Sequence, residues 1–532
     1  MAKAQPNTLA VAMQSSGKNY PSYTYAELDS ASDIMARGLQ ESGITKGTRT
    51  VLMVKPGLEF FELVFALFKI GAVLVAIDPG MGLKNLKTCL AEAEPDAFIG
   101  IGKAHLARLL MGWCRGRKMT LVHAGSWSPL RMLMQGTDDL RRPGAGSSKE
   151  TLVISESRDP AAILFTSGST GVPKGVNYNH GNFTAQVRAL QALYDIQPGE
   201  VDLATFPLFA LFAPAMGMTS IIPIMDFTRP GHVDGQTIVD AINDFSATTM
   251  FGSPALLDRV GRWAEGRQVR LNSLKRVISA GAPVSAEIIE RFTSLLADGV
   301  EIFTPYGATE ALPVASIGSA EILGETSQLT AAGHGVCIGR PVPGLDVKII
   351  AISDDVIPSW HEAKELAVNQ VGEIVVRGEQ VTASYHNREA SSALAKIENG
   401  EDGFFHRMGD LGYLDDSGRL WFCGRLSERV RCGETTYFTA CCEGIFNQHS
   451  QVRRSALVGV GKERSIEPVL CIEVEEKCDL AALEKELLEL AGQYEITAMI
   501  KRILVHPGFP VDIRHNAKIG RAELTAWASE QS

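Results

Sequence analysis

The run AAILFTSGSTGVPKG, residues 161–175, carries the densest set of groups able to do chemistry. An apolar stretch delivers the chain into Thr166, Ser167, Gly168, Ser169, Thr170 and Gly171, and Lys174 follows. Glycines bring backbone N–H groups close to a ligand, hydroxyls add donors and lysine adds a cation, which together suit a polyphosphate. The spacing is not that of a Walker A loop, because Pro173 stands five residues after Gly168, where a second glycine belongs. The loop contains no GxGxxG, and a hydrolase elbow fails because Ser167 occupies the place of its first glycine. Composition alone also fits a flexible Gly/Ser connector. Lys174 and four polar motifs further on favour the anion-binding reading: SAGAPVS (279–285), PYGATE (305–310), MGDLGYLDDSGRLWFCGR (408–425) and HNAKIGR (515–521).

These motifs need a rigid frame, and the sequence supplies strands alternating with helices. Residues 50–54 read as a strand, 59–70 as a helix and 73–77 as a second strand, which predicts a βαβ unit with parallel pairing. The same grammar returns as a strand over 274–279, a helix over 285–296 and a strand over 300–304 that ends at PYGATE. Strand ends are where doubly wound sheets keep ligands. From about 333 to 425, short alternating runs such as DVKII, GEIVV and GRLWFC predict a small β-rich subdomain. Beyond Arg425 the pattern turns mixed, with a helix over 480–494 and a strand over 503–506. The expected fold is α/β: a large N-terminal domain (1–425) of stacked αβ subdomains including the β-rich part, and a small α+β C-terminal domain (426–532). Residues 113–159 predict surface loops whose RGRK and LRRP runs are solvated. No internal repeat of 20 to 50 residues is evident.

Composition limits the partners. The 532 residues are 45% hydrophobic and 21% charged, as in ordinary globular chains, and 61 acidic against 51 basic side chains give a net charge of −10. That balance repels polyphosphate backbones, so no nucleic-acid partner is expected. Nine cysteines without a metal-type CxxC pair, and an N-terminus without a signal-peptide core, predict a reduced, cytoplasmic setting. Two apolar stretches imitate membrane spans, but 60–77 carries Glu62 and Lys69 and 208–225 is broken by Pro214, Gly217 and Pro223, so no transmembrane segment is assigned. The amphipathic stretch 105–113 reads as a core or surface helix, with docking to a partner or membrane as the alternative.

The loop TSGSTGVPKG, taken with YTYAELDSAS near Tyr23 and the four later motifs, resembles the acyl-adenylate-forming superfamily of acyl-CoA synthetases, nonribosomal peptide synthetase adenylation domains and luciferases. The resemblance spans essentially the whole chain. It implies ATP and Mg²⁺ as cofactors, with Thr166 to Gly171 and Lys174 on the β- and γ-phosphates. It implies that Gly281, Ala282 and Pro283 line the adenine pocket, that Tyr306 stacks on the base beside Gly307, Ala308 and Thr309, and that Glu310 ligates Mg²⁺. Asp410 is implied to accept both ribose hydroxyls with Arg425 assisting. Lys518, on a mobile C-terminal domain, is implied to bridge the substrate carboxylate and the α-phosphate.

The chain departs from the acyl-CoA synthetases at named places. Ala210, in TFPLFALFAPAMG, stands where they carry a histidine; the hinge position is Ser427; Met408 replaces the threonine before Gly-Asp; and TTYFTACCEG replaces an Ile-x-Pro run, although Gly433 matches the tunnel glycine. These departures, with MDFTRPG, PYGATEALPV and FPVDIRHNAKI, resemble one branch, the β-lactone synthetases of long-chain olefin biosynthesis. The branch implies a long-chain 2-alkyl-3-hydroxy acid as substrate, a reductase that supplies it and a hydrolase-like decarboxylase that consumes the lactone. Phe206, Phe209, Ala210 and Phe212 are candidates for the alkyl-chain wall. Three other readings stay open at this point: an acyl-CoA ligase with CoA as cosubstrate, an enzyme loading a carrier protein, and a non-catalytic nucleotide-binding scaffold.

Overall fold

The computed structural model describes residues 1–15, 20–125, 134–141, 155–166, 172–461, 465–474, 478–511 and 518–531. Two large sheets dominate. The first has seven strands in the order Gln135–Gly136, Thr120–His123, Ala97–Gly100, Arg49–Met53, Val73–Ala76, Pro160–Phe165 and Gly175–Asn179. All neighbours are parallel except the last pair. The βαβ expectation holds here, with the helix Leu58–Lys69 linking Arg49–Met53 to Val73–Ala76. Glu62, 1% exposed within that apolar helix, is held by Arg141 at 2.8 Å. That pair corrects the reading of LRRP as solvated, and residues 113–159 supply two of the sheet's strands rather than loops alone.

The second sheet has 14 strands. Its parallel part runs through Val201–Ala204, Thr249–Gly252, Arg276–Ser279 and Glu301–Ala308. Ser285 accepts a hydrogen bond from the Ile288 N–H and caps the helix Ala286–Thr293, which is shorter than the expected 285–296. The strand expected over 300–304 continues to Ala308, because it turns back on itself as a hairpin with Ala311–Gly318. Through Val336–Pro341 this hairpin joins the β-rich segment, so that segment extends the large sheet and is no separate layer. The stretch 208–225 is broken as its prolines require: two four-residue helices, Pro207–Ala210 and Phe212–Ala215, precede the strand Thr219–Ile222.

After the single turn Leu426–Glu428 the chain builds a separate three-stranded sheet from Val452–Val460, Glu467–Val474 and Arg502–Val505. The helices Thr439–Phe446, Leu480–Ala491 and Arg521–Glu530 cover it. All nine cysteines are free. In the helix Gly102–Leu110, His105 is buried while Leu106, Leu109 and Leu110 face outward. Among the described residues no helix is long and apolar enough to cross a membrane.

Candidate active site

The strands on either side of residues 166–174 pair as an antiparallel hairpin. Phe165 pairs with Gly175 across antiparallel strands, the Thr166 N–H donates to the Lys174 carbonyl at 3.0 Å, and the Lys174 N–H donates to Thr166 Oγ1 at 3.1 Å. Ser167, Gly168, Ser169, Thr170 and Gly171 lie outside the described residues. A Walker A loop leads into a helix whose dipole assists anion binding; here the chain returns as a strand, so that contribution is missing and Lys174 is the cation at its foot.

Two tyrosines fasten this hairpin to Glu310. Thr309 and Glu310 form the tight turn between Ala308 and Ala311. The Tyr178 hydroxyl, on the return strand of the phosphate hairpin, donates to the Thr309 carbonyl at 2.5 Å. The Tyr385 hydroxyl donates to Glu310 Oε1 at 2.7 Å, and its ring lies 4.9 Å from the Lys174 ammonium. Backbone bonds hold Tyr385 alongside the hairpin: Asn177 N–H donates to the Ser384 carbonyl at 3.1 Å and His386 N–H to the Gly175 carbonyl at 2.7 Å. Thr382 donates to the Glu310 carbonyl from both its N–H (2.9 Å) and its Oγ1 (3.1 Å). Behind it the buried Lys396 donates to the Thr382 carbonyl, and burial pulls its ammonium down to about 7 against the opposing charge of Glu310.

At the other end of the polar region, Ala280, Gly281, Ala282 and Pro283 follow the strand Arg276–Ser279, with Gly281 at φ +99°. Only glycine adopts that conformation without strain. A Cβ on Gly307 would stand 2.7 Å from the Ala311 carbonyl oxygen, so the PYGATE turn also depends on a missing side chain. Asp410 and Arg425 face each other across neighbouring antiparallel strands. The Tyr306 hydroxyl donates to Asp410 Oδ2 at 2.5 Å, while Arg425 Nε stands 3.3 Å from Oδ1. That Oδ1 is buried and accepts no hydrogen bond among the described residues, which leaves an acceptor ready for a ligand hydroxyl. Burial raises the Asp410 carboxyl, opposed by the Arg425 charge and the Tyr306 hydrogen bond, and burial together with the Asp410 charge lifts the Tyr306 phenol well above its ordinary value.

A cavity of about 2180 Å³ joins these groups. Gly281, Ala282, Pro283, Tyr306, Gly307, Ala308, Thr309, Asp410 and Arg425 line it, as do Lys518 and Arg521 from the C-terminal segment. Arg521 pairs with Glu428 at 2.8 Å and Glu443 at 2.7 Å, which ties the segment bearing Lys518 to the turn just beyond Arg425. Phe206, Phe209, Phe212, Met216 and Phe251 line an apolar branch, with the rings of Phe209 and Phe251 4.6 Å apart. Ala210 corrects the expectation for the pocket wall. It is fully buried in the core, its N–H bonded to the Phe206 carbonyl at 3.0 Å, and the cavity does not reach it. Thr166, Lys174 and Glu310 also stand off the described wall, one step behind Thr309 and Tyr178, which are on it.

The family described as AMP-binding enzyme matches residues 1–386. The chain belongs to the AMP-binding enzymes. This AMP-binding enzyme is an AMP-forming ligase, 46% identical over 517 residues to the olefin beta-lactone synthetase of Xanthomonas campestris, covering 96% of this chain and 91% of the relative. It is 45% identical over 545 aligned positions to the olefin beta-lactone synthetase of Stenotrophomonas maltophilia, covering 100% of this chain and 97% of that one. Among solved structures, an amide bond synthetase from Marinactinospora thermotolerans shares the fold with a TM-score of 0.80 at 20% identity, covering 98% of this chain and 97% of its own. The o-succinylbenzoate coenzyme A synthetase of Bacillus subtilis, solved with ATP and a magnesium ion, matches with a TM-score of 0.75 at 20% identity, covering 98% of each chain. Within this AMP-binding enzyme the sequence motifs missed Tyr178, Tyr385, Thr382 and Lys396. None sits in a loop with catalytic spacing, and only the folded chain brings Tyr385 to a turn 75 residues earlier.

Proposed function

We propose that the enzyme adenylates a long-chain 2-alkyl-3-hydroxy acid with ATP and closes the product to a β-lactone, releasing pyrophosphate and AMP. The observation that carries this reading is a single cavity that joins the Tyr306, Asp410 and Arg425 end to the apolar branch past Phe206, Phe209 and Phe212. The similarity to two relatives named olefin beta-lactone synthetase supports a β-lactone as the product. The site chemistry fits the nucleotide: the orphaned Asp410 Oδ1 suits a ribose hydroxyl, Arg425 shares that contact, and the Tyr306 ring supplies a flat face for the base.

In this reading residues 166–171 and Lys174 hold the β- and γ-phosphates. Glu310, steadied by Tyr385 and Thr382, would be the carboxylate that holds Mg²⁺. A magnesium ion held by Glu310 would supply positive charge against the pyrophosphate. The acid carboxylate attacks the α-phosphorus in line, the bond to the β-phosphate oxygen breaks, and the Lys518 ammonium bridges carboxylate and α-phosphate as charge builds. The 3-hydroxyl oxygen then attacks its own acyl carbon, the acyl–AMP bond breaks and the hydroxyl proton passes to a base. A nucleophile within the same molecule has a high effective concentration, so no thiol is needed. A reductase would supply the hydroxy acid and a hydrolase-like decarboxylase would consume the lactone.

Incubation with ATP, Mg²⁺ and a 2-alkyl-3-hydroxy acid, with and without CoA, followed by mass spectrometry, tests the proposal. Lactone and AMP are expected without CoA. A thioester that forms only when CoA is present would overturn it in favour of an acyl-CoA ligase.

A further inference from the structure

One buried carboxyl takes no part in the chemistry above. Asp202, 8% exposed, stands on the strand Val201–Ala204 and lines the same cavity. The apolar residues Ile196, Met216, Met218 and Ile278 of that wall pack as one cluster. No donor among the described residues bonds the Asp202 carboxyl. The nearest cation, Arg276, is occupied by Glu200 at 2.5 Å and by the Thr249 hydroxyl at 2.8 Å. An acid this deep in an apolar wall costs free energy unless it has a function that offsets the cost.

Strand register gives its depth. Asp202 is level with Thr249 and Arg276, whereas the loop that begins at Ala280 follows Ser279, which is level with Gly252, one residue beyond Ala204. Three residues of strand separate the two levels, about 10 Å at about 3.3 Å per residue. On the reading proposed above, that depth falls to the alkyl chain and not to the reacting carbonyl.

We propose that Asp202 is the polar floor of the acyl branch: it stops the alkyl arm that reaches it and thereby sets the chain length the enzyme accepts. The inference rests on the long-chain substrate proposed above. A methyl end pressed against this carboxyl strips its remaining water without replacing a hydrogen bond, so each further methylene is opposed. Burial pushes the carboxyl up to about 7, opposed by Arg276, so the floor gains charge as pH rises through neutrality. The groups that face it are few. Arg276 and Glu200 form their pair beside it, Tyr194 at the end of the helix His180–Tyr194 stays protonated because burial raises it, and the flanking strands bring only the Ser220 and Thr249 hydroxyls.

Calorimetric binding of saturated fatty acids of graded length to the full chain, without nucleotide, tests the floor separately from turnover. Asp202→Leu is expected to raise the affinity ratio of the longest to the shortest acid about tenfold over the unsubstituted protein; an unchanged ratio overturns the proposal. Should that variant fail to fold, the pH series decides. The ratio is expected to fall from pH 6 to pH 8 in the unsubstituted protein and to stay level in Asp202→Asn, and a level ratio in both overturns the proposal. Length-dependent binding of these acids by a protein that makes no AMP from ATP and a 2-alkyl-3-hydroxy acid would refute the proposed reaction and leave the floor standing.

Discussion

The two arms of the cavity are held together by different physics. At the arm proposed to hold the nucleotide, the polar groups are fixed by directional bonds between segments far apart in the chain: Tyr306 to Asp410 across 104 residues, Tyr385 to Glu310 across 75 and Tyr178 to Thr309 across 131. The acyl arm is walled by rings packed against one another, Phe206 on Phe209 at 5.2 Å and Phe209 on Phe251 at 4.6 Å, with no polar partner required. Hydrogen bonds fix angles as well as distances, whereas packing fixes mainly volume. The nucleotide arm should therefore respond steeply to the loss of single atoms, and the acyl arm shallowly to a change of shape.

The largest effect is expected at the nucleotide arm. Lys518→Ala should slow acid-dependent pyrophosphate release by on the order of 10²–10³-fold, the cost of removing one preorganised charge from a transition state. ATP binding, held by Tyr306, Asp410 and Arg425, should weaken far less, and calorimetry with ATP alone checks the split. Equal losses in binding and turnover would show that Lys518 acts on the ground state, and the contrast between the arms would lose its sharpest instance.

Next comes the tyrosine between the hairpin and the Glu310 turn. Tyr385→Phe keeps the ring beneath Lys174 and removes only the donor to Glu310 Oε1. One hydrogen bond to a charged group is worth about 1.5–3 kcal/mol, so the Mg²⁺ concentration for half-maximal pyrophosphate release should rise at least about tenfold. Binding of a non-hydrolysable ATP analogue should weaken when Mg²⁺ is present and hold when it is absent. Equal weakening in both conditions would make Tyr385 a support for the fold at large and not for Glu310.

The same contrast explains what was legible beforehand. Residues 166–174, 279–285 and 305–310 stand out in the sequence because the proposed phosphate loop and the tight turns write their glycines, hydroxyls and lysine into contiguous stretches. The βαβ unit was readable from period alone, since Arg49–Met53, Leu58–Lys69 and Val73–Ala76 each carry their own apolar pattern. Tyr385, Lys396 and Asp202 were not readable, because a tyrosine after a serine, a lysine in a polar stretch and an aspartate before leucine acquire a role only when register and strand order bring their partners. Register also decided where local pattern misled: the 300–304 strand runs on to Ala308 because Ala311–Gly318 folds back to pair with it. Ala210 was assigned to the wall by its neighbours in sequence, but the short helix Pro207–Ala210 turns it inward while Phe206 and Phe209 face the cavity.

The smallest effect is expected at the acyl arm. Phe209→Leu removes three ring contacts, with Phe206, Phe212 and Phe251, and keeps an apolar side chain of similar reach. Such swaps usually cost less than about 1.5 kcal/mol in stability, and a half-exposed wall position has cavity space into which neighbours can relax. The KM for a long-chain acid should shift by no more than about threefold, with the Mg²⁺ dependence left where the unsubstituted enzyme has it, because no bond to the Glu310 turn passes through Phe209. A loss in kcat as large as that of Tyr385→Phe would mean that the aromatic wall positions the reacting carbonyl with the same directional precision as the hydrogen bonds, and the distinction between the arms would have to be redrawn.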